Sequence, residues 1–140
     1  LRMQRHCSNA MELAEFLSKL GHDISVSYPG LKEHPYHEIA ARQFHGGFGA
    51  IITLRAGSKE RAFRLLNELK IPLLVSNIGD TRTLVIHPSS TIAAHLSKEE
   101  KELSGVYDDM IRISVGIEDI EDLKEDFRRV IEGDEEYGKS

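Results

Sequence analysis

Arg112 is the residue of this sequence best suited to bind a ligand. It lies in the segment DMIRISVGIED, residues 109–119, where isoleucines and a valine alternate with polar residues in the pattern of a β-strand. Arg112 and Ser114 therefore share the face opposite the apolar one. An arginine within a strand needs water, a carboxylate or a bound anion as its partner, and its planar guanidinium suits a carboxylate. The alternatives are an ion pair with the acidic residues that follow, or an edge strand that faces solvent.

A second polar cluster, SNIGDTR at residues 76–82, interrupts two apolar runs. Because apolar residues flank it on both sides, we expect the loop to return to the core. The side-chain amide of Asn77 can donate a hydrogen bond, and a turn at Gly79 and Asp80 could present main-chain N–H groups. If this loop lies beside Arg112, the two segments form a clamp for a small carboxylate.

The histidines and the single cysteine predict neither a metal site nor a nucleophile. His34 and His37 have the spacing of a ligand pair, but a closed zinc site needs about four ligands, and no second pair of histidines or cysteines answers them. We interpret these histidines as exposed loop residues. Cys7 lies on an apolar helical stripe, which predicts a buried structural thiol.

Local structure explains two further motifs. Gly46, Gly47 and Gly49 precede a strand rather than a helix, so they are not expected to cradle a phosphate but to let the main chain enter a crowded strand. The acidic residues at 118, 119, 121 and 122 stand at the start of the last helix, where carboxylates complement the helix dipole.

Composition indicates one globular domain covering residues 1–140. The net charge of −5 gives no general attraction to nucleic acid or to an anionic membrane, and no apolar run has the length of a membrane span. A single cysteine excludes an internal disulfide framework and fits a reducing, cytoplasmic location.

Periodicity predicts the element order α-β-α-β-α-β-β-α-β-α, an α+β two-layer sandwich with helices covering one face of the sheet. The boundaries are a first helix at 1–21, a sandwich at 22–132 and a frayed acidic tail at 133–140. The first helix starts without a capping residue, which suggests a chain cut from a longer protein. Ser58 and the pair Ser97 and Glu100 are predicted helix caps.

The sequence resembles a known family. NIGDTRTLVIHPSST followed by IRISVGIEDIEDL is similar to the C-terminal domain of the Cys/Met-metabolism pyridoxal-phosphate enzymes, which take part in trans-sulfuration. RMQRHCSNAMELAEFL, YPGL and GGFGAIITL resemble that domain in the same order, so the resemblance covers nearly the whole chain. It implies the small, mostly antiparallel sheet found in the C-terminal domain of fold-type I enzymes.

The resemblance also implies roles for single residues. The arginine with which the family holds the substrate carboxylate falls on Arg112, and the polar residue that assists it falls on Asn77. Gly79, His87 and Thr91 would lie near the substrate. No catalytic, cofactor-binding or metal-binding residue is expected in this chain.

In this family the pyridoxal-phosphate lysine belongs to a large N-terminal domain, and nothing here resembles its Ser-x-x-Thr-Lys segment. The resemblance thus implies that pyridoxal 5′-phosphate acts in the full-length enzyme, a homo-oligomer, and that this chain alone neither binds it firmly nor turns over substrate. The missing N-terminal domain and a small amino-acid substrate are its expected partners.

The expected activity is that of an O-acetylhomoserine sulfhydrylase, a transferase of methionine biosynthesis that replaces acetate by sulfide to give homocysteine. The NIGD and VIHPSST segments favour this branch. The alternatives are a cystathionine γ-synthase or γ-lyase, or a stand-alone module that binds an amino acid without catalysis.

Overall fold

The computed structural model describes residues 1–137, with side chains described through residue 133. Its α-helices are α1 (Arg2–Leu20), α2 (His37–Gln43), α3 (Lys59–Glu68), α4 (Lys98–Leu103) and α5 (Ile120–Tyr137). Its strands are β1 (Ser25–Ser27), β2 (Ile51–Arg55), β3 (Leu73–Leu74), β4 (Leu84–Ile86) and β5 (Met110–Ser114), with a short 3₁₀-helix at Pro88–Ser90. Apart from that 3₁₀ turn, this is the predicted element order.

The five strands form one sheet in the order β1-β2-β5-β4-β3. All neighbours are antiparallel except β3 and β4, which confirms the prediction of a mostly antiparallel sheet. Strand β5 is central, so Arg112 does not lie on an edge strand. It is paired with Thr53 on one side and Ile86 on the other.

One face of the sheet carries the hydrophobic core. Ile111 and Ile113 of β5 are almost completely buried there, against apolar stripes of α1, α3 and α5. The apolar stripe of α5 contributes residues 123, 127, 130 and 131 to the core, and Ile120 packs against it. Burial of such side chains contributes about 1.5–3 kcal/mol each.

The opposite face carries Arg112 and Ser114, because residues directly opposed across antiparallel strands share a face. Leu84 and Ile86 of β4 lie on this face and are buried, whereas Thr53 of β2 is half-buried. The core cluster of the described residues lies on the other side of the sheet, and Arg112 is half-buried.

The burial pattern of α1 corrects the expectation for Cys7. The buried stripe of α1 contains His6 and Asn9, and Met3 is more than half exposed. Cys7 is half-buried rather than buried. Helix α5 runs to Tyr137, and residues 138–140 of the predicted tail lie outside the described residues.

The predicted caps are present. Ser58 Oγ accepts a hydrogen bond from the N–H of Arg61, and Ser97 and Glu100 form a reciprocal capping box. Helix α1 ends before Gly21, whose φ of 77° suits glycine. No described helix combines the length and apolarity that a membrane crossing would require.

Candidate carboxylate-binding site

The structure brings Arg112 and the loop at residues 76–82 together. The Nη2 atom of Arg112 donates to the main-chain carbonyl of Ser76 at 3.0 Å and to that of Asn77 at 3.2 Å. The two clusters that the sequence singled out are therefore adjacent, although about thirty-five positions separate them along the chain. The expected contact uses the main chain of Asn77, while its side chain is exposed and makes no hydrogen bond within the described residues.

Arg112 lacks an anionic partner among residues 1–133. It is half-buried, forms no ion pair there, and its Nε–H is buried without an acceptor. Burial lowers the pKa of the Arg112 guanidinium below its ordinary value, because desolvation disfavours the charged form. The alternative of an ion pair with the acidic residues 118–122 is thus wrong, and a guanidinium with unused N–H groups is held on the open face of the sheet.

The rest of the loop is fixed to β5. The N–H of Gly79, at a φ of 76°, donates to Ser114 Oγ at 3.1 Å, so Arg112 and Ser114 both hold the loop from the same strand face. Asp80 Oδ1 accepts from the N–H of Arg82 at 2.9 Å, and this hydrogen bond is the main cause that lowers the pKa of the Asp80 carboxyl. Because the N–H of Gly79 is engaged within the chain, its role in binding substrate stays a prediction.

A groove of about 500 Å³ lies beside the loop. Ser76, Ile86, His87 and Thr91 line it together with Phe63, whose ring centroid is 4.7 Å from that of His87. The groove therefore adjoins Ser76, whose carbonyl Arg112 contacts, and Ile86, which is paired with Arg112 across the strands.

His87 is built into the structure rather than free in the groove. Its Nε2 lies 2.6 Å from the carbonyl of Asp108 and its Nδ1 lies 2.7 Å from Ser90 Oγ. A carbonyl can only accept, so Nε2 carries the proton and Nδ1 is the acceptor. Thr91 Oγ1 donates to the carbonyl of His87 at 2.7 Å. Roles for His87 and Thr91 at the substrate remain predictions.

Sequence reasoning missed the residues that lock the end of the loop. Glu118 was expected to cap α5, but its carboxylate instead accepts from the N–H of Thr83 at 2.6 Å and from Thr83 Oγ1 at 2.9 Å. The cap of α5 is Asp119, whose Oδ1 accepts from the N–H of Glu121 at 2.9 Å. Glu121 and Asp122 lie in the first turn, as the dipole argument predicts.

Two polar residues of α1 support the same region. Asn9 Nδ2 donates to the carbonyls of Gly116 and Glu118 at 3.1 and 2.9 Å, and His6 Nδ1 lies 2.6 Å from the carbonyl of Val115. The sequence does contain a signal for this role, because His6 and Asn9 lie on the same helical face as Leu13 and Leu17.

The remaining motifs do not join the site. His37 Nδ1 lies 2.8 Å from the carbonyl of Pro29, and His34 Nδ1 accepts from the N–H of Tyr36. Within the described residues, no three histidine, cysteine or acidic side chains are grouped so that they could hold a metal ion. Gly47 packs against Cys7 at a φ of 151°, where a side chain would clash.

A mostly antiparallel five-stranded sheet, with helices on one face and a half-buried arginine on the other, is a small α+β domain of the kind found in fold-type I enzymes. The chain belongs to the family of Cys/Met metabolism PLP-dependent enzymes, whose sequence profile matches residues 1–132. It corresponds to the C-terminal domain of those enzymes.

Relatives with different activities match about equally well. The chain is 44% identical to an L-methionine gamma-lyase of Fusobacterium nucleatum, and 42% identical both to O-acetyl-L-homoserine sulfhydrylase 1 of Thermus thermophilus and to a cystathionine gamma-synthase of Mycobacterium tuberculosis. Each match covers 94% of this chain and 31–33% of the relative. The chain therefore spans about a third of the length of these relatives, and identity does not choose among their activities.

A solved structure confirms the fold. A protein of Campylobacter jejuni assigned as an O-acetylhomoserine (thiol)-lyase superposes with a TM-score of 0.89 at 34% identity, over 94% of this chain and 31% of that one. That protein carries N′-pyridoxyl-lysine-5′-monophosphate at its position 205.

No lysine lines the groove beside Arg112 in the part of the chain that is described. Lys59, Lys98 and Lys101 line a different groove with Asp108 and Asp109, and Lys124 pairs with glutamates of α1 and α5. On the opposite side of the sheet from the core, Arg112 provides a cation held against two main-chain carbonyls of the loop.

Proposed function

We propose that this chain is the substrate-carboxylate-binding domain of a pyridoxal-phosphate enzyme that acts on sulfur amino acids. The observation that carries the proposal is Arg112, a half-buried guanidinium that is held by two loop carbonyls and has no carboxylate partner in residues 1–133. Desolvating a cation without compensation is costly, and an anionic ligand offsets that cost. The α-carboxylate of an amino acid has the planar shape that a guanidinium binds through two N–H groups.

In the proposed reaction this chain orients the substrate. Pyridoxal phosphate, when bound by the rest of the enzyme, supplies an electron sink for the carbon bonded to the amino group. Arg112 holds the carboxylate on that carbon, and the exposed amide of Asn77 donates a further hydrogen bond to it. The α-proton is thereby turned toward the general base of the large domain. A hydrogen bond to a charged group contributes roughly 1.5–3 kcal/mol, and correct orientation adds to the rate.

The preferred activity is γ-replacement of acetate by sulfide on O-acetylhomoserine, which gives homocysteine. The Thermus sulfhydrylase and the Campylobacter (thiol)-lyase support this choice, together with the NIGD loop. Methionine γ-elimination is the second candidate, because a γ-lyase has the highest identity among the relatives cited.

Steady-state kinetics of the full-length enzyme test both parts of the proposal. Homocysteine formation from O-acetylhomoserine and sulfide, faster than methionine breakdown, supports the sulfhydrylase, and the reverse order supports the γ-lyase. Arg112→Lys is expected to raise KM and lower kcat together, because a lysine presents one point charge where the guanidinium presents a fork. An unchanged kcat/KM would remove Arg112 from the site.

A stand-alone binding module is the competing class of function. It requires residues 1–140 by themselves to bind an amino acid. Titration calorimetry of the isolated chain with O-acetylhomoserine separates the two, since the proposal requires the large domain for measurable affinity.

A further inference from the structure

Thr83 and Glu118 form a closed contact at the end of the loop that carries Asn77. One oxygen of the Glu118 carboxylate accepts from the N–H of Thr83 at 2.6 Å, and the other accepts from Thr83 Oγ1 at 2.9 Å. The same hydroxyl accepts from the N–H of Gly116 at 2.9 Å. Thr83 is fully buried, so its N–H and hydroxyl depend on these protein partners.

The main chain around this contact leaves little freedom. The N–H of Ile117 donates to the carbonyl of Thr81 at 2.8 Å. A side chain at Gly116 would clash with the main chain of Thr81 and Arg82 and with the Glu118 carboxylate. The main chain between β5 and α5 thus packs directly against the main chain at the end of the loop. A small shift of either segment would therefore disturb the contact between Thr83 and Glu118.

The loop at 76–82 is consequently fixed at both ends. Arg112 holds the carbonyls of Ser76 and Asn77 at its beginning, Ser114 holds Gly79 in its middle, and the Thr83 contact fixes its end. The orientation of the guanidinium depends on the carbonyls that its Nη2 contacts, and the position of those carbonyls depends on where the loop is anchored.

We propose that Thr83 and Glu118 are positioning residues for the carboxylate-binding site. They hold the loop so that Arg112 and Asn77 are arranged before the substrate arrives. This inference rests on the proposed function. Ordering a loop on binding has an entropic cost, and an anchored loop avoids it. Loss of the anchor therefore weakens substrate binding more than it slows the chemical step.

Two substitutions at position 83 separate the contribution of the hydroxyl's hydrogen bonds from that of side-chain packing. Thr83→Val keeps nearly the same shape but leaves Glu118 and the N–H of Gly116 each without one partner. Thr83→Ser keeps the hydroxyl. In the full-length enzyme, Thr83→Val is expected to raise KM for the amino-acid substrate about tenfold with a smaller change in kcat, and to speed hydrogen exchange at the amide of Gly79. Thr83→Ser is expected to restore both quantities toward wild type.

A reference variant at Arg112 distinguishes failure of the positioning role from failure of the proposed function. Arg112→Gln removes the cation and should raise KM at least as much as Thr83→Val. If Arg112→Gln raises KM and Thr83→Val does not, the positioning role is wrong while the proposed function stands. If Arg112→Gln leaves KM unchanged, the proposed function and this inference both fall. Should Thr83→Val not fold, Glu118→Gln decides by the same two quantities, because it keeps the side-chain volume and removes the charged acceptor.

Discussion

Arg112 and Asn77 meet through a main-chain hydrogen bond of 3.2 Å, from the guanidinium Nη2 to the Asn77 carbonyl. The Asn77 side chain is exposed. Under the proposed function, the side-chain amide of Asn77 donates a further hydrogen bond to a carboxylate bound at the guanidinium.

Asn77→Ala in the full-length enzyme is expected to reduce kcat/KM for the amino-acid substrate by roughly 10- to 100-fold, since a hydrogen bond to a charged group contributes about 1.5–3 kcal/mol. Asn77→Asp should be worse than Asn77→Ala, because a carboxylate there repels the substrate. Asn67→Ala, in the neighbouring groove, is the matched control. Equal effects of the substitutions at 67 and 77 would contradict a specific role for Asn77.

Asn9→Ala is expected to destabilise the chain by about 1–3 kcal/mol, because it leaves the carbonyls of Gly116 and Glu118 without their buried donor. Ser8→Ala, one position away on the exposed face, should change the free energy of unfolding by no more than about 0.5 kcal/mol. Urea unfolding of both variants makes the comparison. A loss of unfolding free energy for Asn9→Ala as small as that for Ser8→Ala would show that α1 does not support the segment at residues 115–118.

Tyr28 predicts a loss of stability at alkaline pH. Burial raises the pKa of its phenol, whose Oη donates to the carbonyl of Gly49 at 2.8 Å. Because the folded-state pKa lies above the unfolded value of about 10, the contribution of Tyr28 is complete below pH 10 and declines as the pH rises further. Unfolding free energies measured between pH 8 and 11 should fall less steeply in Tyr28→Phe than in wild type. Tyr36→Phe, at an exposed position, should keep the wild-type slope, and identical slopes for all three proteins would count against the account.

Periodicity was sufficient to predict most of the fold. The apolar stripes of α3 and α5 follow from a repeat of 3.6 residues, and the strand that carries Arg112 follows from a repeat of 2, although its central position in the sheet does not. The caps at Ser58 and Ser97 follow from local hydrogen bonding. Each of these signals acts over a few residues, so the sequence displays it directly.

The contacts that assemble the site are long-range, and local patterns do not carry them. Glu118 has the sequence context of a helix cap, but α5 begins at Ile120 and the carboxylate reaches Thr83 instead. Asn9 and His6 contact residues more than one hundred positions away, and nothing near them in the chain indicates those partners. The sequence predicts a carboxylate clamp only if the loop lies beside Arg112. A strand pattern shows which face of the sheet a residue lies on, but it does not show which segments lie next to that residue.

The central claim, that Arg112 binds the α-carboxylate of the substrate, is tested most directly by competitive inhibition of the full-length enzyme with an amino-acid analogue and with the matching amine that lacks the carboxylate. Wild type is expected to prefer the acid by at least about tenfold, whereas Arg112→Gln should bind the two within about twofold of each other. Retention of the wild-type preference in Arg112→Gln would contradict the account.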